Sequence, residues 1–244
     1  WIRPFLGADE FINNLPRWCL WLKDCPPAEL RAMPAVMARV QEVKAHRAAS
    51  SRAATQALAA TPTLFGEIRQ PADTYLLVPC HSSERREFIP IGFLSPDVIV
   101  GNANLCIPDA TLFHFGVMTS RMHMAWVKYV CGRLESRYRY TSQIVYNNYP
   151  WPESPSDAQR QTIESAAQAV LDSRAQFPGA TLADLYDPLT MPPELLKAHQ
   201  KLDAAVDKAY EASGGKKSYS SDDERVALLL DLYLRYTSVL QAER

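Results

Sequence analysis

The order of apolar and polar positions changes character several times along this chain. Residues 1–24 alternate around Asn13-Asn14, and Trp18, Cys19, Leu20, Trp21 and Leu22 form a short apolar run. Period-two alternation buries one face of a strand, so paired strands with a turn at Asn13–Pro16 are expected. Pro26-Pro27 opens a helix, because proline suits a first helical turn. The helix restarts at Pro34 and continues, alanine-rich, toward Ala60, with Arg39, Lys44 and Arg47 sharing much of one face. From Thr61 to Pro108 the runs shorten. Tyr75–Val78, Phe88–Ile91 and Asp97–Val100 are strand candidates between Pro, Gly, Ser and Asn breaks. Leu112 to Val130 carries Phe113, Phe115, Met118, Met122, Ala125, Trp126 and Tyr129 at helical period and predicts one helix. Arg137 to Tyr146 is the next strand candidate.

Past Pro150-Trp151-Pro152 the pattern is helical. Ser156 can cap a helix to about Phe177 with Ile163, Ala167, Val170 and Leu171 on its apolar face. A short turn follows at Leu182–Tyr186. Glu194–Ala212 places Leu195, His199, Leu202, Val206 and Tyr210 on one side, and Ser221 caps a last helix to about Leu240. The expected class is α+β: a mixed α/β domain over residues 1–152 and a mainly helical domain over residues 153–244.

With 47% apolar residues among 244, the chain can bury a sizeable core. The net charge of −1 does not announce nucleic acid, but its distribution is uneven. Residues 1–152 carry 16 Lys/Arg against 12 Asp/Glu, whereas residues 153–244 carry 10 against 15. A basic front and an acidic back suggest parts with different partners. The five cysteines are widely spaced with no CxxC pair, which reads as reduced thiols in a cytoplasmic protein rather than a zinc site or a disulfide framework. No apolar run approaches the ~20 residues needed to cross a bilayer, and no signal peptide is visible. The start at Trp1 rather than Met predicts a piece of a longer protein.

Catalytic signatures are missing from the sequence. There is no Gly-x-Ser-x-Gly elbow, no phosphate-binding P-loop and no GxGxxG. Asp203 and Asp207 form a helical i,i+4 pair that, beside Lys201 and Lys208, reads as a solvated face. His114 and His123 have no carboxylate nearby in sequence and are not expected to bind metal. The densest polar cluster is His81 to Arg86. There Ser82, Ser83, Arg85 and Arg86 suit phosphate contacts, as does Arg121. On a strand, Glu135, Arg137 and Arg139 share one face, while Ser136, Tyr138 and Tyr140 share the other. Arginine can engage both acceptors of guanine and glutamate can accept from the cytosine amino group, so this face can act as a base-reading comb. A solvated ladder of Glu–Arg pairs accounts for the same pattern, and periodicity alone favours the ladder.

Longer segments add a resemblance. WIRPFLGADEFINN followed by RWCLWL, then MPAVMARVQEV, HSSERREFIPIGFL, FGVMTSRMHMAWVKYVCGRLESRYRY and IVYNNYPWP, with LKAHQKLDAAVDKAYEAS in the tail, run in colinear order. Together they resemble the C-terminal portion of MmeI-like DNA methyltransferases, the group containing single-chain type II restriction–modification enzymes. The resemblance implies a target-recognition domain followed by a helical C-terminal domain. It implies double-stranded DNA and the methyltransferase domain of the same chain as partners, with no membrane. The parent enzyme would flip out an adenine and methylate its amino group with S-adenosylmethionine. Base-reading positions fall, by this resemblance, on Glu135, Arg137 and Arg139 in ESRYR, on Asn102 and Ala103 in VGNANL, and on Cys80 just before HSSERR. The Asn-Pro-Pro-Tyr motif that holds the adenine does not occur, nor does a glycine-rich cofactor motif. No catalytic, cofactor-binding or metal residue is therefore assigned. Whether the fragment is itself an enzyme stays open, and any fused endonuclease would lie upstream. IVYNNYPWP reads as a structural hinge into the tail. The alternative is a scaffold or interaction module of the same enzyme that does not itself read bases. The resemblance places the comb ahead of the ladder.

Overall fold

The computed structural model describes residues 1–242. Strand β1 (Ile2–Leu6) pairs antiparallel with β2 (Trp18–Leu20), as the alternation requires, but helix α1 (Ala8–Asn13) joins them in place of a tight turn. The local sequence explains the helix. The Glu10 carboxylate accepts the Gly7 N–H at 2.8 Å, and Asp9 and Glu10 put negative charge in the first turn, where the helix dipole favours it. Asn14 ends it in the left-handed region at φ 51°, a conformation asparagine tolerates.

Prolines start α2 (Pro27–Arg31) and α3 (Pro34–Ala48), and α4 (Ala53–Ala57) follows. Arg47 does not join Arg39 and Lys44 as a free basic face. Its guanidinium donates to the carbonyls of Leu58, Thr61 and Leu64 at 3.0, 2.9 and 2.7 Å and pins the chain beyond α4. Five strands come next: β3 (Tyr75–Pro79), β4 (His81–Ser82), β5 (Gly92–Leu94), β6 (Ile99–Val100) and β7 (Asn104–Pro108). The fully buried β3 lies between β5 and β7 in an antiparallel sheet, while β6 adds to β1 in parallel. The Phe88–Ile91 run is buried but is not a strand. Pro90 has no N–H to give a ladder, and pairing begins at Gly92.

The predicted helix over Leu112–Val130 is two helices, α5 (Leu112–Met118) and α6 (Arg121–Val130). The Ser120 hydroxyl donates to the Val117 carbonyl at 2.7 Å and accepts the His123 N–H at 3.3 Å, closing one helix and capping the next. The third sheet has the order β4-β9-β8, with β8 (Gly132–Leu134) and β9 (Arg137–Arg139) forming a hairpin. Strand β9 stops at Arg139, short of the expected Tyr146. The Thr141 hydroxyl accepts the Ile144 N–H at 3.4 Å and starts a π-helical turn over Ser142–Tyr146.

The helices α7 (Asp157–Ala175), α8 (Leu182–Leu185), α9 (Pro193–Ala209) and α10 (Asp222–Ala242) match the elements expected of the tail. A continuous apolar core runs from Leu76 and Phe88 through Phe115, Met122 and Trp126 to Val206 and Leu232. Gly116 lets α5 lie close on α7, since a Cβ there would stand 2.7 Å from Ile163 Cγ2. In the hinge, the buried Tyr210 hydroxyl lies 2.7 Å from the Tyr149 hydroxyl and 2.9 Å from the Pro150 carbonyl. Among the described residues no helix is long and apolar enough to cross a membrane.

Asp203 and Asp207 are not a solvated face; both are buried. The period of α9 carries them inward beside Leu202 and Val206, where they meet groups remote in sequence. Asp203 Oδ1 accepts the Arg121 N–H at 2.7 Å at the start of α6. Asp207 takes Arg225 of α10 through two bonds of 3.1 and 2.7 Å. Burial pushes the Asp203 carboxyl up to about 7, against the Arg121 N–H that lowers it; Asp207 adds to the rise, while Arg225 and Arg121 oppose it. The unfolded value is about 3.9. Between pH 4 and 7 the native state therefore holds a proton that the unfolded chain has released. Stability contributed at this site falls as pH rises through that window, by up to about 1.4 kcal/mol per pH unit. Asp203→Asn keeps the acceptor for Arg121 and removes the charge. It should leave stability near pH 4 unchanged and raise it at pH 8, flattening the pH profile measured by urea unfolding.

Candidate nucleic-acid interface

The β8–β9 hairpin projects Glu135, Arg137 and Arg139 into solvent and buries Tyr138 and Tyr140. The alternation is the expected one from Arg137 onward. Glu135 departs from it: it occupies the two-residue turn Glu135-Ser136 at φ 57°, not a strand position. Its carboxylate still meets the strand, accepting from Arg137 Nη2 at 2.8 Å. Arg139 stands opposite His81 and Gly132 in the sheet. Arg133 lies over the Tyr138 ring at 4.2 Å and donates to the Ser136 and Lys128 carbonyls, which fixes the hairpin base. Behind the strand, the Tyr140 hydroxyl is 2.9 Å from His123 Nε2 on α6. Complete burial takes His123 down to about 3, so this anchor is an uncharged imidazole.

Cys80 joins the hairpin to the Asn102–Ala103 turn. Its N–H donates to the Ala103 carbonyl at 2.9 Å, and its carbonyl accepts the Tyr140 N–H at 2.8 Å. Burial raises its half-buried thiol, against the nearby charges of Arg139 and Arg69. The turn is held from below by one atom, the Leu6 carbonyl, which accepts the Gly101 N–H at 2.8 Å and Asn104 Nδ2 at 2.9 Å. Gly101 fits closely there: a Cβ would sit 3.0 Å from Phe5 and 3.1 Å from the Leu6 carbonyl, tighter than ordinary contact. Asn104 is a positioning residue that sequence reasoning missed; only its place in VGNANL marks it. Asn102, Ala103, His81, Leu134 and Arg137 line one cleft of about 340 Å³. Four of the six proposed base-reading positions thus meet through backbone bonds or this cleft, while Glu135 and Arg139 flank it on the hairpin. A larger apolar groove of about 670 Å³ lies between β2 and α3 and shares no residue with this cleft.

The proposed phosphate contacts divide. Arg85 is exposed, and Ser83 is half-buried with its hydroxyl accepting the Arg85 N–H at 3.2 Å. Arg86 is half-buried, and burial lowers its guanidinium while nearby Asp187 opposes the change. Ser82 lies deeper: pairing with Tyr138 in the sheet buries it, and its hydroxyl is off the surface. Arg121 keeps its side chain 47% exposed but is already paired. Its Nε donates to Asp222 of α10 at 2.9 Å, so it ties two helices together, and Lys128 joins the same carboxylate at 2.7 Å. Glu84 sits beside the hairpin turn. Its own backbone N–H, then the Ser136 hydroxyl and the charges of Arg133 and Arg85, hold its carboxyl below the usual range. Among the described residues no group of three or more His, Cys, Asp or Glu is arranged to hold a metal.

Residues 1–153 match the family model of the MmeI target recognition domain, and residues 155–241 match that of the MmeI C-terminal domain. The chain belongs to the MmeI family. DNA methyltransferase A of Bacillus subtilis (strain 168) is 40% identical to it over 237 residues, 97% of this chain and 26% of that protein. The fold also matches the Type IIL restriction-modification enzyme MmeI, solved in complex with DNA, with a TM-score of 0.93 at 50% identity. That match covers 98% of this chain and 31% of the other. The chain therefore spans between a quarter and a third of the length of these relatives. Every candidate reading and phosphate-contact residue lies within the target-recognition match of this MmeI-family chain.

Tyr138 carries the hairpin. Tyr138→Ala should destabilise the protein by about 3–5 kcal/mol, the usual loss for a buried aromatic. Tyr138→Phe should change stability by less than about 0.5 kcal/mol, because the buried ring, not the hydroxyl, makes the contacts. Urea unfolding of the two variants checks the contrast.

Proposed function

We propose that this chain is the sequence-reading module of an S-adenosylmethionine-dependent adenine methyltransferase of the restriction–modification type. The hairpin's outward row of Glu135, Arg137 and Arg139, set beside the Asn102–Ala103 turn by Cys80, carries the proposal. A strand with its tyrosines in the core presents the guanidiniums of Arg137 and Arg139 outward at strand spacing, and the Glu135 carboxylate joins them from the turn, so base-complementary donors and an acceptor stand side by side. A solvated ladder needs no second segment beside it, whereas here a separate turn is fixed against the strand by main-chain bonds.

In the proposed complex with double-stranded DNA, the hairpin and the Asn102 turn read base edges. Arg85, Arg86 and the Ser83 turn contact the phosphates, positioning the duplex without reading it. The catalytic pocket and the cofactor belong to the remainder of the enzyme, the methyltransferase domain of the same polypeptide. Residues 153–242 form the platform on which the reader is held, and the Tyr149 hydroxyl already accepts a bond from Tyr210 of that platform at 2.7 Å.

The test is a binding measurement on the full-length protein with its target duplex and single-base variants. Arg137→Ala should cost about 1–3 kcal/mol at one base pair and relax preference there. Arg85→Ala should weaken binding to all sequences alike and reduce the salt slope by about 1. Equal weakening of every sequence by Arg137→Ala would leave the hairpin a phosphate contact. No binding even at low salt, where phosphate attraction is strongest, would make the chain a scaffold instead.

A further inference from the structure

The second wall of the cleft beneath Arg137 is built from β1, α1 and the segment before β2, and it presents Arg17. Several guanidiniums of this chain are consumed by the fold: Arg47 by three carbonyls, Arg225 by Asp207, and Arg133 by two carbonyls and a ring. Arg17 differs. Its main chain is locked, the carbonyl accepting the Phe5 N–H at 2.9 Å. Its Nη1 donates to Glu10 Oε1 at 3.0 Å and its guanidinium lies 4.8 Å from the Phe5 ring centre. Glu10 is fixed in turn, because its other oxygen accepts the Gly7 N–H. The result is a held guanidinium whose side chain is 56% exposed and lines the cleft, with donors beyond the one given to Glu10. A pre-set fork of this kind gives up little rotational freedom on contact.

The charges around it select the ligand. Asp9 and Glu10 line the cleft with Arg17, and they would repel a phosphate. Base edges present donors and acceptors side by side, and an acid–guanidinium pair matches that mixture. Across the cleft, Glu135 and Arg137 form a pair of the same composition, with the Asn102–Ala103 turn also lining the cleft. We infer that Arg17, held by Glu10 and Phe5, is a further base-contacting residue that fixes one position of the recognised sequence from the wall facing Arg137. The inference rests on the DNA-reading function proposed above.

Selection from a randomised duplex pool by the full-length protein tests it, with wild type beside Arg17→Ala, Arg17→Lys and Arg137→Ala. Lysine keeps the charge and the stem but loses the two-pronged fork. Both Arg17 variants should lose about tenfold or more of the discrimination at a single base pair. That position should differ from the one relaxed by Arg137→Ala, and the dependence of affinity on salt should stay as in wild type. An unchanged sequence motif in the Arg17 variants overturns the inference. So does equal weakening of all sequences with a shallower salt slope, which is the behaviour of a phosphate contact. Should Arg17→Ala fail to fold, Arg17→Lys decides on the same criteria. Relaxation by Arg137→Ala alone sinks Arg17 and leaves the reading function standing; relaxation by neither residue sinks both.

Discussion

The burial of Tyr138 and Tyr140 is the constraint on which the proposed reading surface depends. A strand can present one set of alternate residues only by burying the other, and a shift of one residue would exchange the two faces. Two aromatic rings in the core make that shift costly. Tyr140 is further tied by its hydroxyl to His123 on α6, a group deep enough to remain neutral, so the anchor has no charge to lose or gain with pH. Helix α6 in turn packs on the helical tail, and its Trp126 bonds to the Val145 carbonyl in the turn after the hairpin. The outward placement of Arg137 and Arg139 is thereby referred to the main core of the molecule.

The two segments proposed to read bases are joined mostly by main-chain atoms. Cys80 bridges the hairpin and the Asn102 turn through its N–H and carbonyl, and the Leu6 carbonyl gathers both ends of that turn. Such bonds do not depend on which side chains the outward positions carry. By contrast, the side chains that hold the frame, Asn104, Tyr138 and Tyr140, point away from solvent. Framework and surface are thus served by main-chain atoms and buried side chains on the one hand and by outward side chains on the other.

Much of this was legible because it is local. The tail helices follow from apolar residues at helical period and from hydroxyl caps such as Ser156, which accepts the Gln159 N–H. The Arg137–Tyr140 alternation is likewise written in adjacent residues. What escaped depends on distant partners. Asp203 and Asp207 look solvated until α6 and α10 arrive with Arg121 and Arg225. Arg121 looks free until Asp222, 101 residues later, accepts from it. Ser82 looks accessible until β4 pairs with β9. The Ser120 break and the Thr141 turn were local, but they rest on hydroxyl–backbone bonds that a hydrophobic pattern does not register.

The turn at Glu135 has a consequence of its own. A two-residue hairpin connection favours Asn-Gly or a similar pair, which accept a positive φ without cost. Here a glutamate occupies the left-handed position at φ 57°. A non-glycine residue held in that region stores a free-energy cost of the order of 1 kcal/mol or more. If the acid reads a base, selection for thermal robustness and selection for recognition act against each other at this one residue. Adaptation of such a chain to heat would have to leave this turn strained and find its gains elsewhere.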